Sequence, residues 1–213
     1  MPPLPNSQGQ SDNDPDGNGA GFFVKQANLL KLRQEIDRIT AEAASPGFRF
    51  SLSEQLICRL HAICMTGLLS DAGSYRTIEV SLTNKQHVFP SWPEVPQLMK
   101  SFCDFVTAEW NTRDLVWWSA FCLWRLNWIH PFRNGNGRTA RELSYLVLSV
   151  KFGGIIPKKN SIIEQIMTMK PAFESALGEC DSAFKQTQNY DASVGPMVAF
   201  LHELFTRQLK GNL

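Results

Sequence analysis

The sequence predicts an all-α fold, a helical bundle around a central helix-loop-helix with one small β-hairpin flap, and three observations carry that prediction. Apolar residues recur at helical spacing along most of the chain. One segment, Asp114 to Ile129 (DLVWWSAFCLWRLNWI), is apolar or small on every face, with Arg125 and Asn127 as late exceptions, the pattern of an enclosed central helix. Only the stretch from Tyr75 to Ser91 alternates with a period of two.

Residues 1–20 contain 17 Pro, Gly, Asn, Asp, Ser or Gln, too little apolar surface to offset the entropy of ordering, and a disordered tail is expected there. The remainder, 21–213, reads as one domain, since 213 residues at 43% hydrophobic content build one substantial core and not two. From Phe22 to Ala44, Phe23, Ala27, Leu30 and Ile36 fall near helical spacing among charged residues, and Ser45-Pro46-Gly47 ends the run. Ser51 or Ser53 caps a second helix through Leu56, Leu60 and Cys64 to about Leu69, within which His61 reads as a structural residue.

Next, Ile78, Val80 and Leu82 alternate with Thr77, Glu79 and Ser81, and His87, Val88 and Phe89 follow a short polar turn, so two short strands are expected. Prolines 90, 93 and 96 end that arm, and helical spacing resumes from Val95 to Trp110. After the central helix a further one is expected from about Asn136 to Phe152, stopped by Gly153 and Gly154. Residues 160–185 and 192–210 each predict one more amphipathic helix.

With 21 Lys and Arg against 20 Asp and Glu, the formal charge of +1 supplies no excess positive potential, and a nonspecific nucleic-acid coat protein is excluded. No apolar run reaches the roughly 18 residues of a membrane span. The first 20 residues also lack the apolar middle of a secretory signal, so the expected location is the cytoplasm, with delivery into another cell left open. Five cysteines without a CxxC pair, each among apolar neighbours, predict buried reduced thiols.

Chemistry concentrates in His130-Pro131-Phe132-Arg133-Asn134-Gly135-Asn136-Gly137-Arg138-Thr139-Ala140-Arg141, a polar, glycine-bearing loop between the two most apolar helices. The helix that begins near Asn136 and Gly137 presents unpaired N–H groups and the positive end of its dipole, which together form an anion nest. Arg138 and Arg141, three apart, project from nearly the same face, and two guanidinium forks suit a di- or triphosphate better than a monophosphate. His130, on the rim, is an imidazole of ordinary pKa about 6.5 suited to take a proton from an attacking hydroxyl. Gly135-x-Gly137-x-x-Ala140 also fits the dinucleotide fingerprint, but that fingerprint follows a strand and this one follows a helix.

The segment HPFRNGNGRTAR resembles the Fic signature HxFx(D/E)GNGRxxR at every specified position except Asn134. Gly73-Ser74-Tyr75-Arg76, the strand pair and Val95-Pro96-Gln97-Leu98-Met99 are similar to the region that precedes this signature in Fic domains. The resemblance implies the Fic fold and transfer of AMP from ATP, with Mg²⁺ or Mn²⁺, to a Ser, Thr or Tyr hydroxyl of a target protein. It implies His130 as general base and Arg138 as its catalytic companion. Nucleotide binding would fall to Arg133, Gly135, Asn136, Gly137, Arg138 and Arg141, and target docking to the flap residues Ile78, Val80, His87 and Val88, by strand pairing.

Asn134 stands where the family has a metal-holding acid, and a neutral amide removes one negative charge, so weaker metal binding and slower transfer are expected. A catalytically impaired nucleotide-binding protein, or transfer of another phosphate-containing group, are the alternatives that keep the same pocket. Many Fic proteins carry an inhibitory helix reading (S/T)xxxE(G/N). The nearest segment here, Thr206 to Gly211, has Lys210 in place of Glu. Intramolecular inhibition is therefore not expected, and a separate antitoxin-like partner is the alternative source of the missing Glu.

Overall fold

The computed structural model describes residues 19–81, 88–157 and 159–211. Among these, the chain folds as α1 (Gly19–Ala43), α2 (Glu54–Met65), α3 (Val95–Ala108), α4 (Leu115–Ile129), α5 (Asn136–Phe152), α6 (Ile162–Thr168), α7 (Lys170–Thr187), α8 (Tyr190–Ser193) and α9 (Gly195–Lys210). A 3₁₀ turn, Trp92–Glu94, leads into α3.

The helix starts have local causes. Asp114 accepts the Trp117 N–H at 2.8 Å and opens α4, and Ser53 accepts that of Leu56 at 3.2 Å and opens α2. Ser161 and Glu164 form a reciprocal capping box at the head of α6. Gly153, left-handed at φ 87, stops α5 where the glycine pair predicts it.

Four boundaries differ from the sequence reading. α1 begins at Gly19, so the last two residues of the expected tail are helical, while residues 1–18 lie outside the described residues. α2 ends at Met65 rather than near Leu69, with Gly67 in the left-handed region at φ 73. The helix expected over 160–185 is two helices broken at Met169, because Pro171 at the start of α7 has no N–H to continue a ladder from α6. The short α8 arises because Asn189 accepts the Ala192 N–H at 3.0 Å, capping a turn that ends before Pro196.

The expected hairpin needs a larger correction. Residues 76–81 and 88–91 carry no strand, and residues 82–87, including His87, lie outside the described residues. The two arms are held by a side chain instead of a ladder: Arg76 donates to the carbonyls of Ile78 at 3.1 Å and Pro90 at 2.6 Å.

α4 is the axis of the bundle, buried continuously from Trp118 to Leu126 as its all-round apolarity predicts. It packs closely on α5, where Ser119 and Ser144 hydroxyls lie 2.7 Å apart, small side chains that let the two backbones approach. Its two fully buried indoles are satisfied: Trp118 donates to the Trp110 carbonyl and Trp124 to Asp181. Arg125 lies 4.1 Å from the Trp128 ring, 4.9 Å from Phe184 and 5.2 Å from Tyr190, so aromatic faces replace much of its lost hydration. α1 and α2 cover one flank of α5, and α7 and α9 complete the other side of α4. None of the five cysteines is in a disulfide, and burial raises the thiols of Cys103 and Cys180 to about 12, which makes them poor nucleophiles. No helix among the described residues is long and apolar enough to cross a membrane.

Candidate active site

The end of α4, the start of α5 and the residues 130–135 between them make the site. His130 caps α4 in the left-handed region, φ 52 and ψ 57, a conformation uncommon for a residue with a side chain. Arg76 holds it there. Its Nε donates to the His130 carbonyl at 2.8 Å, and its backbone N–H donates to the Pro131 carbonyl at 2.8 Å. With its other bonds to Ile78 and Pro90, one buried guanidinium joins both flap arms to the rim of the loop.

Nδ1 of His130 lies 3.2 Å from the Asn127 carbonyl. A carbonyl only accepts, so Nδ1 carries the proton and the basic lone pair is on Nε2. The Phe89 ring stacks on the imidazole at 3.9 Å, fixing its plane.

The loop is closed from inside. Phe132 is fully buried, and the Asn136 carboxamide clamps its backbone, accepting the Phe132 N–H at 2.9 Å and donating to the Phe132 carbonyl at 2.7 Å. The Asn136 side chain is thus committed to the loop, and its backbone N–H is what it offers to an anion nest. The first intrahelical bond of α5 runs from Thr139 N–H to the Gly135 carbonyl at 3.0 Å, while the N–H groups of Asn136, Gly137 and Arg138 have no acceptor among the described residues. Three donors at a positive helix end, with Arg138 and Arg141 leaving the first two turns half-buried, form a concentrated anion site. Arg133 is exposed and paired with Asp71 at 2.9 Å, which places it at the margin.

Gly135 is required twice over. Its φ is 78, and a Cβ there would sit 2.6 Å from Met65 Sδ, 2.9 Å from Met65 Cγ and 3.3 Å from His61 Nε2. Gly135→Ala is expected to destabilise the chain by about 2–4 kcal/mol, the sum of left-handed strain and overpacking, read as a lower urea midpoint at unchanged slope.

His61 reaches this loop from α2. Its Nδ1 accepts the Gly73 N–H at 2.8 Å, and its Nε2 lies 2.9 Å from the Asn134 carbonyl. Its ring stacks on Phe132 at 3.7 Å with an interplanar angle of 1°. Burial pulls its pKa down to about 4 and Arg138 adds to this, against the opposing Asn134 carbonyl and Asp71, so the ring is neutral near pH 7.

The donor set does not fit a divalent ion held by this chain alone. Asn134 Oδ1 accepts the Gly135 N–H at 2.6 Å, and no group of three or more His, Cys, Asp or Glu among the described residues could hold a metal. Of the flap residues, Ile78 and Val88 are 47% and 86% exposed and Val80 is half-buried.

Sequence reasoning missed Arg76 and Phe89 as site residues. A signal existed for the first: Arg76 has the same parity as Ile78 and Val80, and an arginine on an otherwise apolar face marks a polar group with a buried task.

Comparison with known proteins agrees with this geometry. Residues 51–148 match the model of the Fic/DOC family. A protein adenylyltransferase Fic from Nematostella vectensis is 33% identical over 79 residues, 37% of this chain and 18% of that protein's length. The match therefore spans less than a fifth of that relative. A Fic-domain-containing signaling protein from Bacteroides thetaiotaomicron has the same fold at a TM-score of 0.72 and 22% identity, covering 93% of this chain and 74% of that one. A Fic family protein from Desulfovibrio desulfuricans aligns at 0.62 and 19% identity, over 85% and 51%. The segment that contains the helix-loop-helix thus matches the Fic/DOC family, and the chain shares the all-helical fold of these structures.

Proposed function

We propose that this protein transfers AMP from ATP to the hydroxyl of a Ser, Thr or Tyr side chain in a target protein. The observation that carries the reading is the row of unpaired N–H groups at Asn136, Gly137 and Arg138, together with a histidine on the same loop whose lone pair is on Nε2. In the reaction the acceptor oxygen attacks the α-phosphorus, a new P–O ester forms, and the bond to the β-phosphate bridging oxygen breaks. Pyrophosphate leaves with the electron pair, and the hydroxyl proton passes to His130 Nε2. The helix N–H groups and Arg138 hold the phosphates where charge develops, and Arg141 adds positive potential one turn further on. Exposed Ile78 and Val88 suit the docking of an extended target segment across the flap. Lys210 sits in the last turn of α9, so restraint in this reading comes from a separate antitoxin-like partner or is absent.

The test is incubation of the chain with cell lysate and MgATP labelled on either the α- or the γ-phosphate. AMP transfer labels protein from the α-position alone. Label from the γ-position alone would indicate phosphoryl transfer, and ATP binding without label would leave a nucleotide-binding protein. Failure of ATP to bind by calorimetry would remove the cradle reading altogether.

Asn134→Asp extends the test. One carboxylate oxygen can still accept the Gly135 N–H, while the second oxygen and the added charge attract a phosphate-bound cation. The Mg²⁺ concentration for half-maximal ATP binding is expected to fall about tenfold, a change of roughly 1.4 kcal/mol.

A further inference from the structure

We propose that His61 is a positioning residue for the phosphate cradle, a neutral imidazole that sets the Asn134–Gly135 peptide from outside the signature; this rests on reading the α5 N-terminus as the nucleotide site. His61 lies 73 residues before Asn134, on a different helix, and is 1% exposed. Its two nitrogens do different work. Nδ1 accepts the Gly73 N–H at 2.8 Å, so the proton is on Nε2, which donates to the Asn134 carbonyl at 2.9 Å.

Because a peptide is planar, with its C=O and N–H pointing in opposite directions, fixing the Asn134 carbonyl fixes the direction of the Gly135 N–H. That N–H is in turn accepted by Asn134 Oδ1 at 2.6 Å. The peptide leading into α5 is thus held at both ends, and the three unpaired N–H groups begin at the next residue. Stacking on Phe132 sets the plane of the imidazole, and a Cβ at Gly135 would come within 3.3 Å of Nε2, so the loop closes tightly over the ring. The partner on the other side, Gly73, has φ 88, and a Cβ there would meet Ala62 at 3.0 Å and the Cys58 carbonyl at 3.1 Å, so it is packed against α2. His61 touches no substrate in this arrangement. It acts through the backbone of the loop.

Two amide substitutions separate the anchor from the positioning bond. Glutamine reaches the place of Nε2 and can donate to the Asn134 carbonyl. Asparagine reaches only the place of Nδ1 and can accept only from Gly73. ATP affinity, measured by calorimetry with Mg²⁺ present, is expected to stay within about threefold of the parent in His61→Gln and to fall tenfold or more in His61→Asn. Both variants lose the aromatic stack, so a purely structural role would affect them alike. Equal affinities in the two folded variants would overturn the proposal.

Hydrogen exchange on the unliganded parent chain gives a reading that needs neither variant nor nucleotide. The Gly73 and Gly135 amides are expected to exchange at least a hundredfold more slowly than in a free peptide. Exchange of either at the free-peptide rate would overturn the positioning role even if ATP binds. Absence of ATP binding in the parent, with both amides protected, would instead sink the nucleotide reading and leave the bridge standing.

Discussion

His130→Asn is expected to lower AMP transfer by a factor of about 10²–10⁴, the usual contribution of a positioned general base, while ATP affinity changes by less than about threefold. Asparagine is the better replacement because His130 has a left-handed backbone, φ 52, which asparagine tolerates and alanine does not. Two backbone bonds that hold the residue in place, from Arg76 to its carbonyl and from its N–H to the Leu126 carbonyl, do not involve the imidazole. Fold and cradle therefore survive the change, and the loss falls on kcat. A loss below tenfold in labelling rate, with ATP still bound, would mean that the acceptor proton leaves by another route. Equal losses in ATP affinity and rate would mean that the ring binds nucleotide instead of accepting a proton.

The second large effect concerns stability against pH, measured by urea unfolding in chelator-containing buffer. Two buried groups oppose one another. His61 is lowered from 6.5 to about 4 by burial, so the unfolded chain binds a proton that the folded chain refuses. Its contribution is complete above pH 6.5 and is lost as pH falls toward 4, on the order of 3 kcal/mol in total.

Glu142 behaves in the opposite sense. Burial raises it from 4.5 to about 7, opposed by Arg33 and Arg141, and its Oε2 has no hydrogen-bond partner among the described residues. The folded chain therefore holds a proton that the unfolded chain releases, and this contribution is complete below pH 4.5 and lost as pH rises through 7, again on the order of 3 kcal/mol. Between about pH 4.5 and 6.5 the two slopes cancel. Glu142→Gln is expected to unmask a stability that rises with pH across that window, and His61→Gln one that falls. If Glu142→Gln leaves the pH profile unchanged, the carboxyl is already ionised in the folded chain and the assignment fails.

The same two groups show how far the sequence could be read. Glu142 lies one residue after Arg141 and looks like an ordinary charged position on an amphipathic helix. Only the packing of α1 over α5 encloses it, with Arg33 and Asp37 lining the small cavity into which it faces. His61 on its own helix reads as a core histidine, and it is buried. Its task is set by Gly73 and by Asn134, neither of which periodicity connects to it. In the described parts of the expected hairpin the alternation of Ile78 and Val80 reports which faces the residues take, while Arg76 bonds the Ile78 and Pro90 carbonyls where no strand is formed.

What the sequence determined by itself is what depends on near neighbours. The all-round apolarity of α4, the Asp114 and Ser53 caps, the Gly153 stop and the glycine-rich start of α5 are all effects within a few residues of each other, where spacing along the chain is spacing in space. Tertiary structure decided the direction of side chains whose partners are far along the chain. It brought Arg76 to His130 across 54 residues and carried His61 to Asn134 across 73. A polar side chain can satisfy its hydrogen bonds in many ways, and until the chain is packed nothing local selects which partner it takes.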